Sequence, residues 1–157
     1  MSQTNFQTAI NTGPSQGVAG DRASLNPAVY TVGNPLADGP VNTGSFVWPS
    51  ANGAANTGTG APLGYVERVI VNYNYDVLSG ATMAIASGCA LTVARKGDYY
   101  AVSATVATDG QKVFAVLADG NIKTGAAGAT VVGAVETNWH VVKGGPAGEL
   151  ITISNWS

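Results

Sequence analysis

Ionised side chains are scarce: Asp, Glu, Lys and Arg together make up 10% of the 157 residues, against about 25% in an ordinary soluble domain. A surface this poor in charge is built either from Thr, Ser, Asn and Gly or from patches that other subunits cover, because charge is depleted at the centres of interfaces. Cysteine occurs once, as Cys89, so there is no intrachain disulfide and no CxxC redox or zinc pair. Histidine also occurs once, as His140. With one of each, only a carboxylate and carbonyl site for calcium is conceivable, and no DxDxDG run supplies one. No cofactor or metal is expected.

Basic residues are few as well. The formal net charge is −2, and the only adjacent basic pair, Arg95-Lys96, is followed by Asp98. A nucleic-acid binder needs a basic stripe to displace counterions from phosphates, so no nucleic-acid partner is expected. No apolar run approaches the roughly 20 residues of a membrane helix, and Met1-Ser2-Gln3-Thr4-Asn5 lacks the basic and apolar parts of a secretory signal. The expectation is a protein made in the cytoplasm, with no membrane partner.

Catalytic constellations are missing too. His140 lies among Trp139, Val141 and Val142, the setting of a partly buried strand residue, and nothing in the sequence brings Cys89 to it. No GxSxG elbow is present. Asp98, Asp109 and Asp119 each stand beside a glycine in a turn, where Asp has a backbone reason to be, so they do not read as a glycosidase pair. The chain is not expected to be an enzyme. Asn155-Trp156-Ser157 forms a glycosylation sequon that reads as chance in a chain without a secretion signal.

What is present is β-structure. Val, Thr and Gly are abundant and Leu is sparse, which suits pleated strands better than helices. Residues 1–27 are polar, with only Phe6, Ile10, Val18 and Leu25 as large apolar positions. Such a segment cannot bury enough to offset its ordering entropy, so it reads as an extended N-terminal arm, with a single β domain over 28–157. Gln16-Gly17-Val18-Ala19-Gly20-Asp21-Arg22-Ala23 closes the arm and holds two of the three charged residues before Glu67. Its Gly17 and Gly20 allow a sharp turn.

Strands are expected at Ala28 to Val32 and at Val41 to Trp48, the latter ended by Pro49. A low-complexity loop from Pro49 to Pro62 follows, of the length that is usually functional or mobile. It holds neither GxGxxG nor a P-loop pattern. Leu63 to Asp76 alternates with period two, placing Tyr65, Val69, Val71, Tyr73 and Tyr75 on one face and Arg68, Asn72 and Asn74 on the other, as a half-buried strand does. The tyrosine row fits core, a subunit or partner contact through Tyr65, Tyr73 and Tyr75, or a sugar-stacking surface. Further strands are expected at Thr82 to Ala86, Cys89 to Ala94, Tyr99 to Ala107, Lys112 to Ala118, Asn121 to Thr124, Thr130 to Val135, Asn138 to Val142 and Glu149 to Trp156. Asp119-Gly120 is a hairpin signal of the type I′ kind, and Val113 to Leu117, apolar on both faces, reads as a central strand. Strands this short and evenly spaced argue for a sandwich or closed barrel.

Three stretches carry a resemblance. They are Gly17-Val18-Ala19-Gly20-Asp21-Arg22-Ala23 with Asn26-Pro27 and Tyr30-Thr31-Val32; Gly97-Asp98 through Gln111-Lys112-Val113, Phe114 and Asp119-Gly120; and Val132-Gly133-Ala134-Val135 with Leu150-Ile151-Thr152-Ile153. In this order they resemble the bacteriophage capsid cement, or head decoration, proteins; the Pro49 to Pro62 loop and the tyrosine-rich strand do not match that pattern. The resemblance implies an all-β fold, a compact β-barrel or jelly-roll-like sandwich of short antiparallel strands with an extended N-terminal arm. It implies a structural virion protein on the capsid exterior that binds the major capsid protein, stabilises the head, and self-associates as a homo-dimer or homo-trimer. The capsid contact is expected from Gln16, Gly17, Val18, Ala19, Gly20, Asp21 and Arg22. The alternative is a tail-associated or carbohydrate-binding adhesion module using Tyr65, Tyr73, Tyr75 and the tryptophans.

Overall fold

The computed structural model describes residues 17–69 and 84–156. These form twelve strands and no helix: β1 (Val29–Tyr30), β2 (Val41–Asn42), β3 (Phe46–Ser50), β4 (Gly53–Ala55), β5 (Gly64–Val66), β6 (Ala84–Ile85), β7 (Val93–Lys96), β8 (Asp98–Val102), β9 (Lys112–Val116), β10 (Ile122–Gly125), β11 (Ala134–Lys143) and β12 (Leu150–Ser154). Every pairing between them is antiparallel. The fold is an all-β sandwich, as the composition and turn spacing indicate.

The strands form a five-stranded sheet ordered β1-β7-β5-β3-β4, a second ordered β10-β9-β11-β12-β8, and a β2-β6 ribbon. Strand alternation splits the first sheet between two cores. Phe46, Trp48, Tyr65 and Ala94 face one way, into a cluster with Tyr99, Val113, Trp139, Val141, Ile151 and Ile153 of the second sheet. Their neighbours Val47, Val66 and Val93 face the other way, into a cluster with Val41 and Ile85 of the ribbon and Leu91. The first sheet is thus the middle of three layers, buried on both faces.

This placement corrects the reading of Leu63 to Asp76 as one half-buried strand. Its described part is the three-residue β5, whose Tyr65 and Val66 are both fully buried on opposite faces. Residues 70–76, with Tyr73 and Tyr75, lie outside the described residues.

Elsewhere the differences lie in pairing. The expected strand over Val41 to Trp48 is two strands, β2 and β3, broken at Gly44. β3 continues through Pro49, which pairs with Ala54 beyond the part bonded to β5; there the missing N–H interrupts no ladder. β6 pairs with β2 and not across Ser87-Gly88. Two expected strands fuse into the ten-residue β11, with a register irregularity between Glu136 and His140. Val113 to Val116 is central, between β10 and β11. The β9–β10 hairpin forms, but of Asp119-Gly120 only Gly120 has positive φ. Its turn is therefore not type I′; Asp119 Oδ1 instead accepts from the Asn121 N–H at 3.0 Å.

The Pro49 to Pro62 loop is a lid on the core. It contains β4, and the Trp48 indole donates to the Gly60 carbonyl at 2.8 Å. Asn56 ties it down: its amide donates to Ser45 Oγ at 2.7 Å and to the Phe46 carbonyl at 3.0 Å, while its Oδ1 accepts from the Asn42 N–H at 2.9 Å.

Candidate capsid-contact surface

The N-terminal segment from Gly17 lies along β8. The Gly20 N–H donates to the Tyr100 carbonyl, the Tyr100 N–H to Asp21, and the Ala23 N–H to Asp98, each at 2.9 Å. Arg22 and Tyr99 form an antiparallel bridge. Gly17 packs flat on the Tyr100 ring, where a Cβ would come within 2.6 Å. Gly20 takes φ +93°, so one of the two glycines makes the turn and the other makes a close approach.

Side chains fasten the same segment. Asp21 Oδ1 accepts from Arg68 Nη1 at 3.0 Å, and its Oδ2 accepts from the Val18 N–H at 3.0 Å. Ser24 Oγ and Asn26 Nδ2 both donate to Asp98 Oδ2 at 2.6 Å. Burial alone would raise the Asp98 carboxyl, but hydrogen bonds from Ser154, Ser24 and Asn26, with His140 nearby, outweigh it and hold the group below the usual carboxylate range. Arg22 donates to the Asn26 carbonyl. Of the expected contact residues, Gly20 is buried, Val18 is 44% exposed and Arg22 is exposed; Gln16 lies outside the described residues.

The edges of the two large sheets differ in cover. Residues 20–23 run along β8. β10 is bridged by Ser103 to Ile122 and receives the Ala104 N–H at 2.8 Å, so the second sheet curls until its two ends meet. Leu36 to Asp38 pair with Ala54 of β4. β1 alone has no described backbone on its outer side. Around it, Val29 and Tyr30 are 45% and 37% exposed, and Leu25 and Val32 fully so.

Beside β1 opens a cleft of about 430 Å³, whose walls include Val29, Pro62, Arg95, Lys96, Glu136 and Trp139. Lys96 Nζ sits 5.2 Å from the centre of the Trp156 ring, within cation–π range. Glu136 Oε2 accepts from the Gly128 N–H at 2.7 Å. The Asn155 side chain accepts from the Gly97 N–H at 3.0 Å and donates to the Arg95 carbonyl. Arg95 has neither a salt bridge nor a side-chain hydrogen bond to a described residue.

Of the three readings of the tyrosine row, Tyr65 takes the first, core. Its ring is fully buried, 5.4 Å from Phe46 and 5.8 Å from Trp139, and its hydroxyl donates to the Tyr100 carbonyl at 2.8 Å. Burial pushes the phenol far above its ordinary pKa. No partner reaches it, so it is core and neither a subunit contact nor a sugar platform. Trp48 and Trp139 are buried as well, and Trp156 is the exposed one.

The catalytic candidates stay apart. Cys89 packs beside the ribbon-side cluster, whereas His140 lies on β11, paired with Ser154 and Lys112 in the second sheet. Asp109 Oδ1 accepts from the Gly144 N–H at 2.6 Å, a turn-holding bond like that of Asp119. Among the described residues no three of His, Cys, Asp and Glu are grouped to hold a metal. Sequence reasoning missed Asn56, hidden in an Asn/Gly/Thr-rich run, and the role of Asp98 as the clasp of the N-terminal segment.

Comparison with known proteins finds both a family and a fold. A family profile described as XM1 gp53 minor capsid protein fits residues 6–155. A solved chain from the capsid of Myoviridae phage XM1 superposes with a TM-score of 0.63 at 17% identity, covering 97% of this chain and 98% of that one; at this identity the likeness is one of fold. No curated protein sequence matches.

Proposed function

Because the chain belongs to the XM1 gp53 minor capsid protein family, a phage capsid-associated family, we propose that it is a structural virion protein acting as a cement: it binds the outer surface of the major capsid protein lattice and stabilises the head. The family match over nearly the whole chain carries this reading. A surface with few charges, exposing Leu25, Val32 and Val132, supports it, since such positions suit contact with other subunits. The proposed self-association as dimer or trimer rests on the same poverty of charge. The proposed shell contact runs through Gln16 to Arg22, chiefly Val18 and Arg22, whose side chains are exposed, while the backbone of Val18 bonds to Asp21 and that of Arg22 bridges to Tyr99 of β8.

A protein that binds only the assembled shell stabilises it by mass action, and one that bridges two capsomers adds effective concentration. The adhesion alternative loses its rings at Tyr65, Trp48 and Trp139, which are buried.

The test is to add the purified chain to heads that lack it, then measure occupancy by sedimentation and shell rupture on heating. Saturable occupancy with a higher rupture temperature is expected. Absence of binding would overturn the cement reading. A Val18→Asp, Arg22→Ala double variant should bind more weakly with its own melting temperature unchanged; light scattering should show an oligomer.

A further inference from the structure

We propose, resting on the capsid reading above, that the outer edge of β1 and the adjoining cleft receive an extended, acid-bearing segment of a neighbouring capsid protein, which adds as a strand beside Val29–Tyr30 and sets a carboxylate against Arg95.

The argument begins with the edge. An exposed strand edge presents unpaired N–H and C=O groups and is a template for another chain. Proteins guard such edges with charge, with proline or with their own backbone. Among the described residues the chain itself runs along β8, β10 and β4 but leaves β1. Residues 23–37 contain no charged side chain, so the edge segment itself carries no charge to repel a guest. β1 is two residues long, Pro27 before it lacks an N–H, and the chain turns at Val32-Gly33, with Gly33 at φ +89°, so a guest pairs over only about three residues, roughly 10 Å of extended chain. The exposed Val29, Tyr30 and Val32 offer apolar contact to alternate guest side chains.

The cleft fixes the chemistry of that guest. Val29 belongs both to the edge and to the cleft wall, and its register partner on β7 is Lys96, next to Arg95. Lys96 is engaged with Trp156, and the acid on the wall, Glu136, accepts from Gly128. The Arg95 guanidinium is left as a fork of donors without a described side-chain partner, suited to a carboxylate in the bidentate manner. Edge-to-edge pairing of two copies through β1 does not supply this contact, because residues 23–37 hold no acid to offer, and neither do residues 1–16. Charge complementarity therefore selects an acid-bearing segment of a different capsid protein over pairing of two β1 edges.

The test places a photo-crosslinking benzoylphenylalanine at Val32, whose side chain is fully exposed, and irradiates intact virions carrying the variant. A crosslink to one segment of another capsid protein, with Asp or Glu within a few residues, is expected. A crosslink to this chain itself, to a segment without an acid, or to nothing while the variant is incorporated would overturn the proposal. In parallel, Arg95→Glu should lower binding to heads that lack the protein by roughly tenfold or more, the scale of a charge-assisted hydrogen bond, with the melting temperature of the free protein unchanged. Equal binding of Arg95→Glu and wild type would refute the carboxylate contact. Failure of the wild type to bind heads would instead refute the cement reading, so the two failures are distinguishable.

Discussion

The Tyr99 hydroxyl donates a 2.7 Å hydrogen bond to Glu67 Oε2, joining the aromatic core of the two large sheets to the segment that follows β5. Burial, then the bond to Glu67, raises the Tyr99 phenol far above its ordinary value, and the same two causes raise Tyr30 beside it. Tyr99→Phe removes the donor and keeps the ring packing. It should cost about 1–3 kcal/mol, seen as a lower urea midpoint with an unchanged slope. Glu67→Gln keeps an acceptor and should lose less.

Asp98 makes stability depend on acid. Its folded-state pKa lies below the ordinary value of about 3.9, so the folded state favours the carboxylate. The resulting stabilisation is fully present above the unfolded pKa and is lost as pH falls through the folded one. Thermal melts of wild type and Asp98→Asn should therefore differ at neutral pH, and the gap should shrink as pH drops through and below the carboxylate range. Proteolytic nicking near Ser24 to Asn26 should rise over the same interval, because those residues bond to Asp98.

Gly120 is a tightly constrained position. Its φ is +71°, and a Cβ there would sit 2.1 Å from the Phe46 carbonyl oxygen, while its own carbonyl accepts from the Phe46 N–H at 2.8 Å. Gly128 shares the backbone, at φ +74°, but has nothing within 4 Å. Gly128→Ala should cost only the backbone term, about 1–2 kcal/mol. Gly120→Ala should cost that and the clash together, at least about 3 kcal/mol. Chemical denaturation of the pair separates the two effects.

Asn56→Ala removes three hydrogen bonds at once and leaves the Phe46 carbonyl and the Asn42 N–H in need of partners. The expected loss is about 2–4 kcal/mol. Hydrogen exchange should show faster opening over residues 42–46 and 53–60, with β11 and β12 protected as in wild type.

How much of this was legible beforehand depended on whether a residue's role is local. The unbroken apolar runs at Phe46 to Trp48 and at Val113 to Ala115 marked strands correctly, because a strand covered on both faces is apolar at every position. Partnership did not show: nothing near Ala84 indicates that it pairs with Asn42 and not with the strand after Ser87-Gly88. Thr137 to Trp139 gave no sign that Thr137 Oγ1 would donate to the Val113 carbonyl at 2.8 Å and hold an irregular strand together. The sequence leaves Tyr65 open between core, contact and sugar platform for a physical reason, since alternation reports that one face is apolar without revealing that the other is buried too. At the proposed contact surface, Gly17 to Arg22 stood out in the sequence. The β1 edge, uncovered among the described residues, did not, because an edge is defined by which other segments fail to cover it.

The clasp at Asp98 also sets an order of events during synthesis. Ser24 emerges 74 residues ahead of Asp98, and Val29 likewise precedes its partner Lys96. At roughly 5–20 residues per second, the uncharged stretch from 23 to 37 stays unpaired for several seconds, beside ribosomes on the same message making identical chains. Changes in that stretch will therefore register first in the yield of soluble protein, before they are visible in the melting temperature of the molecules that finish folding.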